Sequence, residues 1–207
     1  MRTAFLSIAV FLLSVWAFYA QTDGFSVLTS ETARRYSIAR QAVHLPSAAI
    51  QKSTGKTSLL DQELAADGRV AIINFMFTRC TSVCVQMGEE FQQLQQAIQE
   101  RNLSDKVRLI SISFDPRDTA DWLGRYHKRM HADESIWQAV LASNDAERER
   151  LLRAFGIVVV PAPYGQFEHN TAYHVVTANG ELTRIVDINN TDIVLHYAAQ
   201  QAEQGSG

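Results

Sequence analysis

The feature that most constrains the fold is an apolar segment near the middle of the chain. Residues 70–77, apolar except for Asn74, are rich in β-branched and aromatic side chains and are bounded by Gly68 on one side and Thr78-Arg79 on the other. Such a run is typical of a strand buried on both faces of a sheet. In residues 84–98, apolar side chains recur at helical spacing and glutamines occupy the opposite face. The sequence therefore predicts a buried strand followed by an amphipathic helix.

The same alternation of strands and helices continues to the C-terminus. The pattern first predicts two short strands around the turn 53–56, a buried strand over 107–114 and a helix capped by Asp118 that reaches about Met130. It then predicts a helix over 145–155 ended by Gly156 and a short apolar run over 157–160. The last predicted elements are a hairpin of strands 173–177 and 181–186 around Asn179-Gly180 and a helix over 192–203. This order predicts an α/β domain whose central sheet is covered by helices on both faces.

A separate apolar segment lies at the N-terminus. Arg2 precedes residues 4–20, which are apolar except for two serines. A helix of this length spans about 26 Å, a little less than the ~30 Å hydrocarbon core of a bilayer. Trp16 and Tyr19 are typical of residues at a membrane interface, and a cleavage site would require small residues where Phe18 and Tyr19 stand. We expect an uncleaved transmembrane anchor, with a cleaved signal peptide as the alternative.

The charges around this segment predict its orientation. An arginine precedes it and acidic residues follow it, which favours an N-terminus inside and a domain outside the membrane. We expect the domain to face the periplasm or another extracytoplasmic space, where thiols are easily oxidised, and to be periplasmic or secreted if the segment is cleaved. The predicted organisation is an anchor or signal segment over 1–21, a tether over 22–46 and one α/β domain over 47–207.

The composition narrows the possible functions. The chain has 207 residues, of which 46% are hydrophobic, and a formal net charge of −3. It therefore has the composition of a globular protein and lacks the basic excess that would favour binding to nucleic acid. Its two cysteines, Cys80 and Cys84, are too few for the disulfide framework of a small secreted domain. A lone close pair indicates a redox-active or metal-binding site instead.

The two cysteines lie at the junction of the predicted strand and helix. The N-terminal end of a helix stabilises a thiolate, which is both the nucleophilic and the metal-binding form of cysteine. Residues four apart share a helical face, so both sulfurs can reach one point if the helix begins early. Thiolates prefer copper(I), zinc and iron–sulfur clusters, and two of them need a further ligand. A structural disulfide or two inert thiols are the alternative, but an exposed sheet edge is a poor place for either.

Histidine is the natural candidate for the third ligand, and the chain has six. His169 follows a predicted loop over 161–168, where binding residues often lie. His174 begins a predicted strand and could equally be a core histidine, so the residues alone do not separate these two. We expect the other four in ordinary positions: His127 and His131 on a solvated helix face, His44 in the lead-in and His196 in the last helix.

Three segments resemble the motifs of the SCO/SenC family. Residues 74–84, with Cys80 and Cys84, are similar to its cysteine motif, and residues 113–119 resemble its second motif. Residues 167–170, followed by an Asn-Gly hairpin, are similar to its histidine motif. The three occur in the family's order, and the resemblance covers about residues 50–200.

This resemblance implies a thioredoxin-like fold and a copper(I) or copper(II) site formed by Cys80, Cys84 and His169. It also implies a role in assembling the dinuclear copper centre of cytochrome c oxidase. The expected partners are a copper-accepting oxidase subunit and, because the compartment is oxidising, a protein that reduces the two thiols.

The chain departs from the family pattern beside these residues. Thr81 and Val85 stand where the family usually has proline after each cysteine, which leaves two more backbone N–H groups in the loop. Glu168 replaces the common aspartate before the histidine. Met87, one turn after Cys84, could add a sulfur ligand, but we expect it to pack in the core.

The second motif contains two aspartates that could act near the metal. Asp115 precedes Pro116 and favours an extended turn, and Asp118 is a good helix cap. We expect both to have structural roles, with contact to a partner or charge near the copper as the alternative.

The sequence leaves three functions open. The first is a copper metallochaperone, and the second is a thiol–disulfide oxidoreductase that reduces a partner's cysteines before metallation. Two intervening residues are usual in redox pairs, so the three between Cys80 and Cys84, together with His169, favour the metal. A peroxidase-like thiol enzyme is the third possibility, without independent support.

Overall fold

The chain divides into two units, Met1–Gln41 and Ala42–Gly207. The structure is a computed structural model. It describes residues 2–21, 29–80 and 83–205, without the side chains of residues 2–5, 9, 21, 30 and 83–85. The first unit contains helix α1 (Arg2–Gln21) and helix α2 (Ser30–Arg40), and α2 lies in the segment predicted as a tether. Among the described residues, no helix combines the length and the apolar character needed to cross a membrane.

The second unit is a mixed α/β domain. Its strands are β1 (Val43–His44), β2 (Ala49–Lys52), β3 (Thr57–Leu59), β4 (Val70–Met76), β5 (Val107–Ser113), β6 (Trp137–Ala142), β7 (Val159–Ala162), β8 (Gln166–His169), β9 (Tyr173–Val176) and β10 (Glu181–Val186). Its helices are α3 (Leu60–Asp67), α4 (Val83–Glu100), α5 (Ala120–Arg129), α6 (Asp145–Phe155) and α7 (Thr191–Gly205), with a short 3₁₀ turn at Pro163–Gly165.

Eight of these strands form one sheet in the order β1-β10-β9-β4-β5-β6-β2-β3. Strands β4, β5 and β6 are parallel, and the hairpin of β9 and β10 adds to β4 in antiparallel fashion. Strands β7 and β8 form a separate two-stranded sheet. Because helices connect the parallel strands, the carboxyl ends of β4, β5 and β6 meet at one edge.

The centre of the sheet is buried on both faces, as the apolar runs predict. All seven residues of β4 and all seven of β5 are buried. Helix α4 covers one face, and the ring of Phe91 packs 5.3 Å from the ring of Trp137 in β6. The Trp137 Nε1–H donates to the Ser111 hydroxyl over 3.0 Å, which satisfies its buried polar atom. This packing holds α4 against the sheet.

Candidate metal centre

The two cysteines follow the buried strand β4. The register of β4 and β5 places Met76 beside Ser113, so both strands end at the same edge. The cysteine loop, residues 77–80, leaves β4 there and turns where the Cys80 amide donates to the Phe77 carbonyl over 3.3 Å. Cys80 is 8% exposed. It therefore lies just beneath the surface at the edge where open α/β sheets bind ligands.

Cys84 belongs to the first turn of α4, whose backbone begins at Val83. This position is the predicted one, and the helix dipole and the unpaired N–H groups of a first turn favour a thiolate there. The Cys84 side chain lies outside the described residues, as do Thr81 and the side chain of Val85. The approach of the two sulfurs therefore stays a prediction. Met87, one turn later, is fully buried, which confirms its place in the core.

His169 ends a strand and does not follow a loop. The predicted loop over 161–168 is wrong, because β7 and β8 pair in antiparallel fashion and place Val159 opposite His169. Pro161 is tolerated in β7 because an edge strand has N–H positions that need no partner. The connecting turn is tight, with Tyr164 at φ 60° and Gly165 at φ 71°. We call residues 159–169 the histidine hairpin.

A cluster of phenylalanines joins the histidine hairpin to the cysteine loop. The Phe167 ring of the hairpin lies 5.3 Å from the ring of Phe77 and 5.7 Å from that of Phe114, which follows β5. Phe77 and Phe114 are themselves 5.5 Å apart. The imidazole of His169 packs edge-on against Phe114 at 4.8 Å. The histidine hairpin and the cysteine loop thus share one aromatic cluster.

Polar contacts reinforce this attachment. The Gln166 side-chain amide donates to the Arg79 carbonyl over 3.4 Å, directly before Cys80. The Arg117 guanidinium donates to the Gly165 carbonyl over 2.6 Å and lies over the Phe167 ring at 5.1 Å. The turn end of the hairpin is therefore bonded both to the cysteine loop and to the second motif.

The surroundings of His169 favour a neutral imidazole. Burial lowers the pKa of His169, although a hydrogen bond with the Asn170 carbonyl opposes this shift. That contact joins Nδ1 to the carbonyl oxygen over 3.2 Å. A carbonyl only accepts, so Nδ1 donates, and the neutral ring then carries its lone pair on Nε2. A neutral imidazole is the form that binds metals.

His174, the other candidate, lies in the core. It is 1% exposed in β9, where it pairs with Ile73 in the middle of the sheet. Its ring packs edge-on against Phe155 at 5.3 Å and Phe75 at 6.0 Å. The structure thus gives His174 the core position that the sequence left as one of two possibilities.

One of the remaining histidines is misplaced by the sequence pattern. His127 is 5% exposed and not solvated, because α5 turns it inwards beside Trp137. Its Nδ1 lies 3.8 Å from the Glu134 carboxylate, and burial lowers the pKa of His127. His131, His44 and His196 are exposed, although His131 lies just past the end of α5 and not on a helix face, and His44 lies in β1.

Asp118 supports the cysteine loop. Its carboxylate accepts hydrogen bonds from the Thr78 amide at 2.8 Å, the Thr78 hydroxyl at 2.6 Å and the Ser113 hydroxyl at 2.6 Å. The predicted helix cap is therefore wrong. Both carboxylate oxygens of Asp118 are engaged elsewhere, and Thr119 caps α5 by accepting from the Trp122 amide. The expected structural role is confirmed in a different form.

Asp115 pairs with two arginines that sequence reasoning missed. Its buried carboxylate accepts from Arg117 Nε and Nη2, each at 2.8 Å, and from Arg79 Nη2 at 3.4 Å. Burial acts to raise the pKa of Asp115, but the hydrogen bonds and charge of Arg117, helped by the charge of Arg79, hold that pKa below its usual range. The two arginines lie within the cysteine motif and the second motif, but nothing in the spacing shows that Arg79 reaches across to a residue 36 positions later.

The donor set at this edge suits a soft metal ion. Cys80 supplies a sulfur, and His169, held by the same aromatic cluster, supplies an imidazole. Among the described side chains, which exclude that of Cys84, no three of the types His, Cys, Asp and Glu gather in a group that could hold a metal. The part of Cys84 in a metal site at this edge stays a prediction.

A family model described as SCO1/SenC matches residues 54–202 of this sequence. The chain belongs to the SCO1/SenC family. The match includes the cysteine loop, the second motif and the histidine hairpin, so it covers every part of the site described above.

Solved structures of SCO proteins show the same fold. A SCO1/SenC family lipoprotein from Bacillus anthracis superposes with a TM-score of 0.69, 22% identity and coverage of 79% of this chain and 98% of that one. BsSco, a Sco-family cytochrome c oxidase assembly protein with a disulfide switch, superposes with a TM-score of 0.66 and 23% identity, and the match covers 79% of this chain and 95% of that one. Copper-bound ScoI from Arabidopsis thaliana superposes with a TM-score of 0.67 and 18% identity, and the match covers 78% of this chain and 99% of that one. These likenesses confirm the expected thioredoxin-like arrangement of a central sheet with flanking helices.

Proposed function

We propose that this SCO1/SenC protein is a copper metallochaperone that binds one copper ion through Cys80, Cys84 and His169. The observation that carries the proposal is the aromatic cluster, which holds the strand of His169 against the loop of Cys80. Support comes from the Arabidopsis thaliana relative, which binds copper. Further support comes from BsSco, which belongs to a family of cytochrome c oxidase assembly proteins.

The geometry suits a cargo that must be bound and then released. Two thiolates and one imidazole are soft ligands that favour copper(I). Three ligands leave one side of the ion open to a ligand of the acceptor. Cys80 is nearly covered and His169 is half-buried, so water has limited access while the metal stays close to the surface. The acceptor we propose is the oxidase subunit that carries the dinuclear copper centre.

A second function is a thiol–disulfide oxidoreductase that reduces the acceptor's cysteines before metallation. The position of Cys84 in the first turn of α4 favours it, because a helix N-terminus stabilises the thiolate that exchange requires. In that reaction a thiolate attacks the acceptor's disulfide, and the second cysteine then displaces the reduced acceptor and closes a Cys80–Cys84 disulfide. A reducing partner must restore the dithiol, and copper loading by the first function needs the same reduction.

The membrane location is also part of this proposal. The apolar side chains of α1 are largely exposed, for example Phe11 at 67% and Trp16 at 68%, and such a surface requires a cover. A lipid bilayer would supply it. The α/β domain over 42–207, which we call the copper domain, would lie on the extracytoplasmic side. A relative from Bacillus anthracis is a lipoprotein.

The two functions separate in a host that lacks the native protein. The full chain and its His169→Ala variant are expressed there, and oxidase activity is measured at limiting copper, because excess copper can bypass a chaperone. A chaperone needs the imidazole to hold the metal, so His169→Ala should keep its disulfide exchange and fail to restore the oxidase. Full restoration by His169→Ala, with failure of the cysteine variants alone, would identify the protein as a reductant.

A further inference from the structure

Beside the cysteine loop, one side of α5 carries an aromatic residue and two arginines. Trp122, Arg125 and Arg129 are spaced three and four residues apart, so they share one face of the helix. The opposite face packs into the core through Leu123 and His127. This division leaves the first three side chains directed away from the core, and Trp122 is 37% exposed.

This side of α5 is joined to the cysteine loop at two points. The Arg129 guanidinium donates to the Thr78 carbonyl over 3.0 Å. The guanidinium of Arg79, the residue before Cys80, lies over the Trp122 ring at 5.8 Å. Arg125 stacks on the same ring at 4.0 Å. Arg79, Trp122, Arg125 and Arg129 therefore form one continuous surface beside Cys80, which we call the arginine face.

The charge of the arginine face differs from that of the whole chain. The formal net charge of the protein is −3, yet this surface contains three arginines. Arg79 is paired with the buried Asp115 and Asp118. Within the described part of the chain, no carboxylate forms an ion pair with Arg125 or Arg129. The face thus retains positive charge next to the metal ligands.

The chemistry of the arginine face is that of a protein-docking surface. Tryptophan and arginine are the residues most enriched at the centres of protein interfaces. A guanidinium stacked on an aromatic ring is held in a fixed plane, so it can bind a carboxylate with two parallel hydrogen bonds at a smaller entropic cost. A lipid headgroup would also attract arginine, but Cys80 must meet the acceptor on this side if copper is transferred.

We propose that the arginine face docks an acceptor protein whose own copper site is bordered by carboxylates. This inference rests on the proposed function and names the chemistry of its partner. The positive face would guide the acceptor towards Cys80 by long-range attraction, and Trp122 would be buried in the complex. Association should therefore weaken as salt is added.

The test measures association and copper transfer separately. For association, the apo full chain, in a mild detergent, is titrated with the soluble dinuclear-copper domain of the oxidase from the same organism, at low and at high salt. For transfer, the copper(I)-loaded full chain is mixed with the apo form of that domain, and the copper on each protein is measured after separation. The variants are Arg125→Glu and Trp122→Ala. The matched control is Arg153→Glu, which makes the same charge change at a 72% exposed arginine on α6 that pairs with Glu149. Circular dichroism melting checks that each variant folds.

We expect Arg125→Glu to weaken association by about tenfold or more and to reduce its salt dependence, with a similar loss for Trp122→Ala and little change for Arg153→Glu. Equal affinity of Arg125→Glu and Arg153→Glu, or no saturable association of the unaltered chain, would overturn the docking face. So would weaker retention of Arg125→Glu on phosphatidylglycerol vesicles with intact acceptor binding, which would assign the face to lipid. Association that depends on Arg125 without any copper transfer would contradict the proposed function alone.

Discussion

His169 and His174 show how the same side chain acquires different roles five residues apart. His169 ends the histidine hairpin at the carboxyl edge of the sheet, half-buried, with Nδ1 directed to the Asn170 carbonyl. His174 lies inside the sheet between Phe75 and Phe155. His169 therefore lies on the side of the domain that carries the cysteine loop, and His174 fills the core.

This difference predicts opposite effects of the two alanine substitutions. His169→Ala should weaken copper binding by more than about 100-fold, since loss of residues that merely support a ligand already costs about 10–100-fold. It should also change the copper(II) absorption. His174→Ala should leave copper binding in place and lower the free energy of unfolding by about 3 kcal/mol through the cavity it creates. Equilibrium titration and urea unfolding of both variants check this, and the reverse pattern would show that His174 is the ligand.

The residues of the site were predictable from the sequence to different degrees. Cys80 and Cys84 stand out because they are the only cysteines and lie between a strand and a helix. His169 required the motif resemblance, because local pattern does not distinguish it from His174. The burial of His127 was missed because its side chain is polar, although it lies on the face of α5 that carries Leu123 and Tyr126.

At the scale of elements, the second motif is hydrogen-bonded to three parts of the domain: β5, the cysteine loop and the histidine hairpin. Asp118 binds Thr78 and Ser113, while Arg117 links Asp115 to the Gly165 carbonyl. Both aspartate side chains are completely buried. The links between these elements are therefore charged hydrogen bonds that are shielded from water. Such bonds are about twice as strong as neutral ones.

The carboxylate of Asp115 should make the free energy of unfolding depend on pH in the acid range. Because the folded state lowers the pKa of Asp115, ionised Asp115 stabilises the protein above its unfolded pKa of about 3.9, and this contribution is lost as the pH falls through the lower folded value. Asp115→Asn should cost about 2 kcal/mol at pH 7 and progressively less below pH ~4.

Urea unfolding of the unaltered chain and of Asp115→Asn across this pH range measures the difference. Asp145→Asn is the control, because that side chain is 80% exposed on α6. A destabilisation by Asp115→Asn that stays constant with pH would contradict a role for the ionised carboxylate.

The strands and helices with strong periodicity are those that the sequence predicts well. Strands β4 and β5 and helix α4 agree with their apolar patterns within a few residues. Strand β6 and helix α3 carry too little pattern to be found: β6 mixes buried and partly exposed residues, and α3 has only eight. Strand β8 was hidden by Pro163 and Gly165, which signal a loop but form the turn of a hairpin.

At the scale of the whole molecule, the proposed function depends on where the chain is held. A chaperone tethered at a membrane meets a membrane-bound oxidase at a high local concentration, which favours transfer of a scarce ion. The apolar helix α1 is the segment that would provide the tether.

Fractionation tests the tether directly. The full-length protein should stay with the membranes after a high-salt or alkaline wash, because neither treatment removes a segment held by apolar burial. Protease added from outside should reach the copper domain. Recovery of a soluble form that begins near Gln21 would instead show that the segment is a cleaved signal peptide.

The proposed function requires that one copper ion binds to both cysteines together with His169. Titration of the reduced full chain with copper(I) against a competing chelator tests it most directly, with His174→Ala as the control that alters a histidine outside the site. The unaltered chain and His174→Ala should each bind one copper, whereas Cys80→Ser and Cys84→Ser should each abolish binding, because one thiolate and one imidazole make a poor copper(I) site. Unchanged stoichiometry in either serine variant would show that the two cysteines do not hold the copper together.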